Sequence, residues 1–245
     1  MSMKNYENPA TRLVELLERA KSIPVHVPFL EGLSELFETS NDYDKTIVRF
    51  AKFIVLSEEV VTTLNTLFPD GGTQHEYWQP RLKSILESMS LNSTWGGFSN
   101  GIDQNMIVLV KVSETLINTK IKATTAESHN LKNIKQDFES LLVEIMDSDE
   151  INIQLKIFVT RKIRQIITSI EEYQLTGVSP ILNAIDSSIG HCITNPEYKE
   201  FVNNSSLGKR LAENLGAAAN AITVITGLPQ LTTQVTDILA NLLPI

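Results

Sequence analysis

The sequence predicts an all-α fold, an irregular multi-helix bundle of about eight to ten helices around a long central antiparallel helix pair. Three observations carry that expectation. Apolar residues recur at spacings of three and four along most of the chain. Eleven glycines and nine prolines in 245 residues are few for an all-β chain with its many tight turns. Finally, Val159, Ile163, Ile166, Ile170 and Tyr173 form a continuous helical stripe through Asp149–Leu175, widened on either side by Ile157, Phe158 and Ile167.

Taken in order, the first helix starts at the N-cap Asn8 with Pro9 in its first turn, buries Leu13, Leu16, Leu17 and Ala20, and stops before Pro24. The two prolines of IPVHVPFL hold that segment extended. A second helix carries Phe29, Leu33, Leu36 and Phe37, with Gly32 weakening it by about 1 kcal/mol relative to alanine. Ser40-Asn41-Asp42 is a turn and cap before a third helix with Tyr43, Ile47, Phe50, Ala51 and Ile54 inward. Ser57-Glu58-Glu59 reads as the start of a fourth helix, closed by Pro69-Asp70-Gly71-Gly72. A fifth runs from about Gln79 to Leu91.

Asn92–Asp103 has three glycines and no helical period, and reads as a loop. The expected division of the chain follows: an N-terminal helical region 1–91, a Gly/Trp-rich loop 92–102 and a C-terminal bundle 103–245, with one continuous domain as the alternative. Residues 106–123 fit a helical face through Met106, Leu109, Val110, Leu116 and Ile117; a hairpin is the alternative. Thr125 and its neighbours cap the next helix, whose Leu131, Ile134, Phe138, Leu141 and Ile145 repeat the three-four alternation. A short acidic link, DSDE, then makes helices 127–147 and 149–175 antiparallel neighbours. Beyond Gly177, Ile181, Leu182 and Ile185 begin another helix, and Tyr198–Val202 a short one. The last stretch is uncharged between Glu213 and Asp237 and is interrupted at Gly227-Leu228-Pro229.

Composition narrows the function classes. The chain is 42% hydrophobic and 20% charged, the balance of a globular protein. A formal net charge of −8 makes it a poor non-specific binder of phosphate backbones. Cys192 is the only cysteine, the N-terminal MSMKNYENPATRL has no apolar core of a signal peptide, and no run of about 18 apolar residues occurs. The expectation is a cytoplasmic protein.

No motif for chemistry is complete in the sequence, so no cofactor, metal or catalytic residue is expected. Gly208-Lys209-Arg210 lacks the earlier glycine and the Ser/Thr of a phosphate loop. His26, His75, His129 and His191 are scattered, and His75-Glu76 has Gln79 where a zinc helix needs histidine. Asp147, Asp149 and Glu150 lack the glycine of a calcium loop. His191 and Cys192 are consecutive, which on a helix sends them about 100° apart.

Three features bear on binding. Tyr77, Trp78, Trp95 and Phe98 gather aromatic side chains around Gly96-Gly97, either as a partner-binding loop or as a plug folded into the bundle. Gly216, Ala217, Ala218, Ala219 and Leu228 mark a small-residue segment, either a packed terminal hairpin or an insert into a membrane or partner. Lys156, Arg161, Lys162 and Arg164 are either a solvated face or a contact for acidic peptide or nucleic acid. The leading expectation is a non-enzymatic interaction protein (adaptor, regulator or scaffold) with a protein partner. A membrane-active effector using 214–245 and an enzyme of unrecognised type are the alternatives. Nucleic acid is disfavoured as a partner, and self-association is compatible with the sequence.

Overall fold

The computed structural model describes residues 7–71, 73, 75–121 and 129–226. Among them the chain forms twelve α-helices and no strand, the all-α bundle that the periodicity predicts. Its packing divides it into two compact units, Lys4–Ala123 and Thr124–Ile245. The division therefore falls after residue 123, and the stretch 92–102 lies inside the first unit.

The N-terminal unit contains α1 (Pro9–Ser22), α2 (Phe29–Phe37), α3 (Tyr43–Leu67), α4 (His75–Ser88), α5 (Trp95–Gly101) and α6 (Gln104–Asn118). Asn8 caps α1 by accepting from the Ala10 N–H, and its own Nδ2 donates to the Glu114 carbonyl and to Asn118 Oδ1, both at 2.9 Å. One residue thus satisfies the start of α1 and ties it to α6. Leu13, Leu16, Leu17 and Ala20 are buried where α1 packs on α3 and α6. Arg12 of α1 is buried as well, and its Nη2 meets Glu59 Oε1 of α3 at 2.6 Å.

Two sequence expectations need correction here, and one open choice is settled. The helix start expected at Ser57-Glu58-Glu59 does not exist, because α3 runs unbroken through it. Ser57 Oγ donates back to the Ile54 carbonyl at 2.8 Å, an arrangement a helix interior accommodates. The expected loop 92–102 is over most of its length the helix α5, two turns long and inward-facing. Residues 104–118 are helical and not a hairpin; Asp103 caps α6 by accepting from the Met106 N–H at 2.7 Å.

The C-terminal unit contains α7 (His129–Asp147), α8 (Ile153–Glu171), α9 (Tyr173–Thr176), α10 (Ser179–Thr194), α11 (Pro196–Asn204) and α12 (Ser206–Thr226). The expected central pair is there. Phe138, Leu141 and Ile145 of α7 and Val159, Ile163 and Ile166 of α8 are fully buried. Lys135 near the start of α7 contacts Glu171 at the end of α8 at 3.1 Å, as antiparallel neighbours must. The second rod is shorter than its stripe suggests. Asn152 starts it by accepting from the Leu155 N–H at 2.9 Å, and Glu172 ends it, so that Tyr173–Thr176 is a separate turn closed by Gly177 at φ 67°.

α12 packs on α7, α10 on α8, and α11 links α10 with α12. The α11–α12 corner depends on Gly208: a Cβ there would sit 1.9 Å from the Phe201 carbonyl oxygen. The expected cap at Thr125 and the break at Gly227-Leu228-Pro229 lie outside the described residues.

Candidate interaction surface

The aromatic group resolves into core. Trp95 and Phe98 are fully buried, with ring centroids 5.0 Å apart; Phe29 stacks on Trp95 at 5.7 Å, and Phe53 meets Phe98 edge-on at 6.2 Å. Trp95 Nε1 donates to the Ala20 carbonyl at 2.9 Å, anchoring α5 on the end of α1. The extended segment before α2 holds α5 from outside. The Trp95 and Gly96 N–H groups donate to the Val27 and Val25 carbonyls, and the Phe29 N–H to Ser93, all at 2.8 Å. Trp78 is also fully buried, on α4. Of the four residues considered as partner anchors, only Tyr77 is at the surface, 44% exposed and in a long 3.5 Å contact with Asp103. An indole with no exposed area cannot fill a partner's pocket, so Trp78, Trp95 and Phe98 hold the unit together instead.

The small-residue segment behaves similarly. Ala218 and Ala219 are buried, Gly216 is half-buried, and only Ala217 is exposed. Together with Asn133, Ile134, Asn220, Ala221 and Val224, Ala217 lines an open groove of about 360 Å³ between α7 and α12. Among the described residues no helix is long and apolar enough to cross a membrane. Leu228 lies outside the described residues.

Behind α8 the structure gathers polar groups that sequence spacing did not connect. Lys162, 8% exposed, donates from Nζ to Ser187 Oγ of α10 at 2.8 Å and sits 5.7 Å from the Phe158 ring centre. Burial pushes its pKa down, and the neighbouring Arg161 cation adds to the shift. His191 packs edge-on against the same ring at 5.1 Å; burial, then the Lys162 charge, hold its pKa below the usual histidine value. Ser188 and Tyr198 share a 2.8 Å hydrogen bond, and burial raises the phenol's pKa. Burial also pushes the Cys192 thiol up to about 11, against a small opposing effect of Lys199, which makes it a protonated, unreactive filler at neutral pH.

A lysine of lowered pKa beside a serine is the geometry of a base and a nucleophile. Ser187, however, sits mid-helix in α10, where backbone N–H groups donate within the helix and none is free to stabilise an oxyanion. Among the described residues no three metal-ligating side chains converge.

The outer side of α8 is different. Ile153, Ile157, Arg161 and Arg164 lie within about 80° of one another around the helix, and all are exposed, Ile153 by 63% and Ile157 by 48%. Ile157, expected to widen the buried stripe, therefore faces outward: the apolar arc of α8 exceeds what α7 and α10 can cover. Met146 of α7 borders this face and is exposed as well. Lys156 Nζ donates to the Met146 carbonyl at 3.1 Å, and Arg164 Nη2 lies 4.0 Å from the Met146 sulfur. Among the described residues Lys156, Arg161, Lys162 and Arg164 make no ion pair with a carboxylate.

At the N-terminal end of the same helix the charge is reversed. Glu150, Glu197 and Glu200 line an open groove of about 370 Å³ whose floor includes Leu155 and Phe201. Asn152 Nδ2 donates to Glu197 Oε1 there. Comparison with protein-family models, with curated proteins and with solved structures returns no match.

Proposed function

We propose that this chain is a non-enzymatic helical interaction protein, an adaptor, regulator or scaffold, that engages another polypeptide through the outer face of α8. The observation that carries this reading is the exposed row Ile153, Ile157, Arg161 and Arg164 beside Met146. Large aliphatic side chains and guanidinium groups without carboxylate partners, on one face of a rigid helix, form a surface that gains on being covered. A helix already packed on its neighbours costs little further ordering when it binds.

A photo-crosslinking residue in place of Ile157, introduced in the native host, tests the reading. Val55 of α3, also exposed and apolar, serves as the control position. Discrete protein adducts at position 157 and none at 55 are expected. Absence of any adduct at 157 overturns the assignment of this face.

A further inference from the structure

The geometry points to a second contact site, separate from the outer face of α8. The groove at the N-terminal end of that helix takes a short extended segment of a partner protein, in which lysine or arginine flanks one large apolar side chain. Leu155 in the groove lies about 160° around α8 from Ile157, so the two surfaces do not overlap.

Three carboxylates and an apolar lining define what fits. Glu150 stands in the link before α8, Glu197 and Glu200 on α11, and Ile151, Leu155 and Phe201 supply the apolar surface. No lysine, arginine or histidine lines the groove. Among the described residues none of the three carboxylates is in an ion pair. Glu197 is nonetheless held in place. Asn152 accepts from the Leu155 N–H with its Oδ1 and donates from Nδ2 to Glu197 Oε1, which ties that carboxylate to the end of α8 and leaves its second oxygen for a cation. Glu200 follows Glu197 by three positions, about 4.5 Å along the axis and about 60° around it, so the two form one wall with Phe201.

Dimensions select the form of the occupant. The α11 wall runs from Glu197 to Asn204, seven positions or about 10 Å, the length of three extended residues at about 3.3 Å each. Lysine and arginine carry their charge on long aliphatic stems, so a stem covers apolar lining while its head reaches a carboxylate.

Competing occupants fit less well. A small molecule gains affinity from enclosure on most sides, and this groove is open. A bare metal ion needs ligands that converge, and among the described residues no three metal-ligating side chains do so. Nucleic acid and anionic lipid are repelled by the same carboxylates that attract a basic peptide.

Nuclear magnetic resonance titration of the full isotope-labelled chain tests this. The probe is acetyl-Lys-Leu-Lys-amide; acetyl-Gln-Leu-Gln-amide, acetyl-Lys-Gly-Lys-amide, 1,5-diaminopentane and calcium chloride are the comparisons. The probe is expected to give saturable shifts centred on Leu155 and Phe201, with affinity falling as salt rises. Each comparison should bind at least about fivefold more weakly, having lost the cations, the apolar side chain or both. Glu150→Gln/Glu200→Gln removes two exposed carboxylates of the groove and should weaken the probe by about fivefold or more. Glu213→Gln, exposed on α12 and not part of the lining, should leave it unchanged. Circular dichroism checks that folding is retained. Absence of saturable shifts, shifts outside the groove, equal binding of any comparison, or equal weakening by Glu213→Gln overturns the inference. Groove shifts that appear on concentrating the protein alone also overturn it, in favour of a second copy. Cross-linking at position 157 is read separately, so the groove and the outer face stand or fall independently.

Discussion

The indole of Trp95 occupies the space that a side chain on Gly32 would fill: a Cβ built on Gly32 falls 2.2 Å from Trp95 Cε3 and 2.5 Å from Cδ2. Gly32 sits in the middle of α2, where alanine would ordinarily be favoured by about 1 kcal/mol. Here the ring is fully buried between Phe29 and Phe98 and has no direction in which to yield. Gly32→Ala should therefore destabilise the protein by about 1–3 kcal/mol, an overpacking cost that exceeds the propensity gain. Urea denaturation decides the sign, and a stabilised variant would refute the packing argument.

The same cluster separates the two tryptophans. Trp95 Nε1 has an acceptor in the Ala20 carbonyl, whereas the buried Trp78 Nε1 has none among the described residues. Both lose similar volume on replacement by phenylalanine, but only Trp95→Phe also orphans a buried carbonyl, which adds about 1–3 kcal/mol. Trp95→Phe is expected to be the more destabilising of the pair. Equal losses in parallel urea titrations would show that the Ala20 contact contributes nothing.

These residues also show where sequence reading succeeds and where it stops. The α7–α8 pair was legible because Phe138 and Ile163 belong to long three-four repeats, a local signal that tertiary packing then reinforced. Gly32 read as a defect because its reason lies 63 positions away, in Trp95. The composition around Gly96-Gly97 speaks for a loop, and burial of Trp95 and Phe98 outweighs it. Ser57-Glu58-Glu59 carries every mark of a helix start, but such marks are local, and α3 is held straight through them by its contacts with α1 and α2. The α8 surface was half visible. Its four cations stood out in the sequence, yet that Arg161 and Arg164 lie outside with Ile157 while Lys162 turns inward depended on how many neighbours α8 would have. Lys162 beside Ser187 was out of reach, since nothing local relates α8 to α10.

Cys192 gives a chemical check on the core of the C-terminal unit. A thiol held at about 11 exposes very little thiolate at pH 8, about a hundredfold less than one at the ordinary 9.0, and the side chain is buried as well. Reaction with a disulfide reagent at pH 8 should therefore be at least about a hundredfold slower for the folded protein than for the chain in denaturant. Rapid modification of the native protein would mean that α10 and α11 open readily around it.

Lys162 offers the sharpest test of the energetics behind α8. Its stem is buried, its ammonium has a serine hydroxyl and an aromatic ring for partners, and no carboxylate among the described residues compensates the charge. Since burial lowers its pKa from 10.5, there is an alkaline window in which the unfolded chain binds this proton and the folded chain does not. Stability then rises with pH through the window between the lowered value and 10.5, and below it the charged form is carried at a cost. Methionine matches the stem without the charge, and Ser187, half-buried on α10, can turn its hydroxyl to solvent or to its own helix. Lys162→Met is therefore expected to be neutral or stabilising by about 1 kcal/mol at pH 7. Its advantage should shrink at pH 10, as the wild-type lysine sheds its proton more readily in the folded state than in the unfolded one. Chemical denaturation of both proteins at the two pH values measures this. A loss of about 2 kcal/mol or more at pH 7 would mean that the ammonium is held by an interaction stronger than the Ser187 hydroxyl and the Phe158 ring provide.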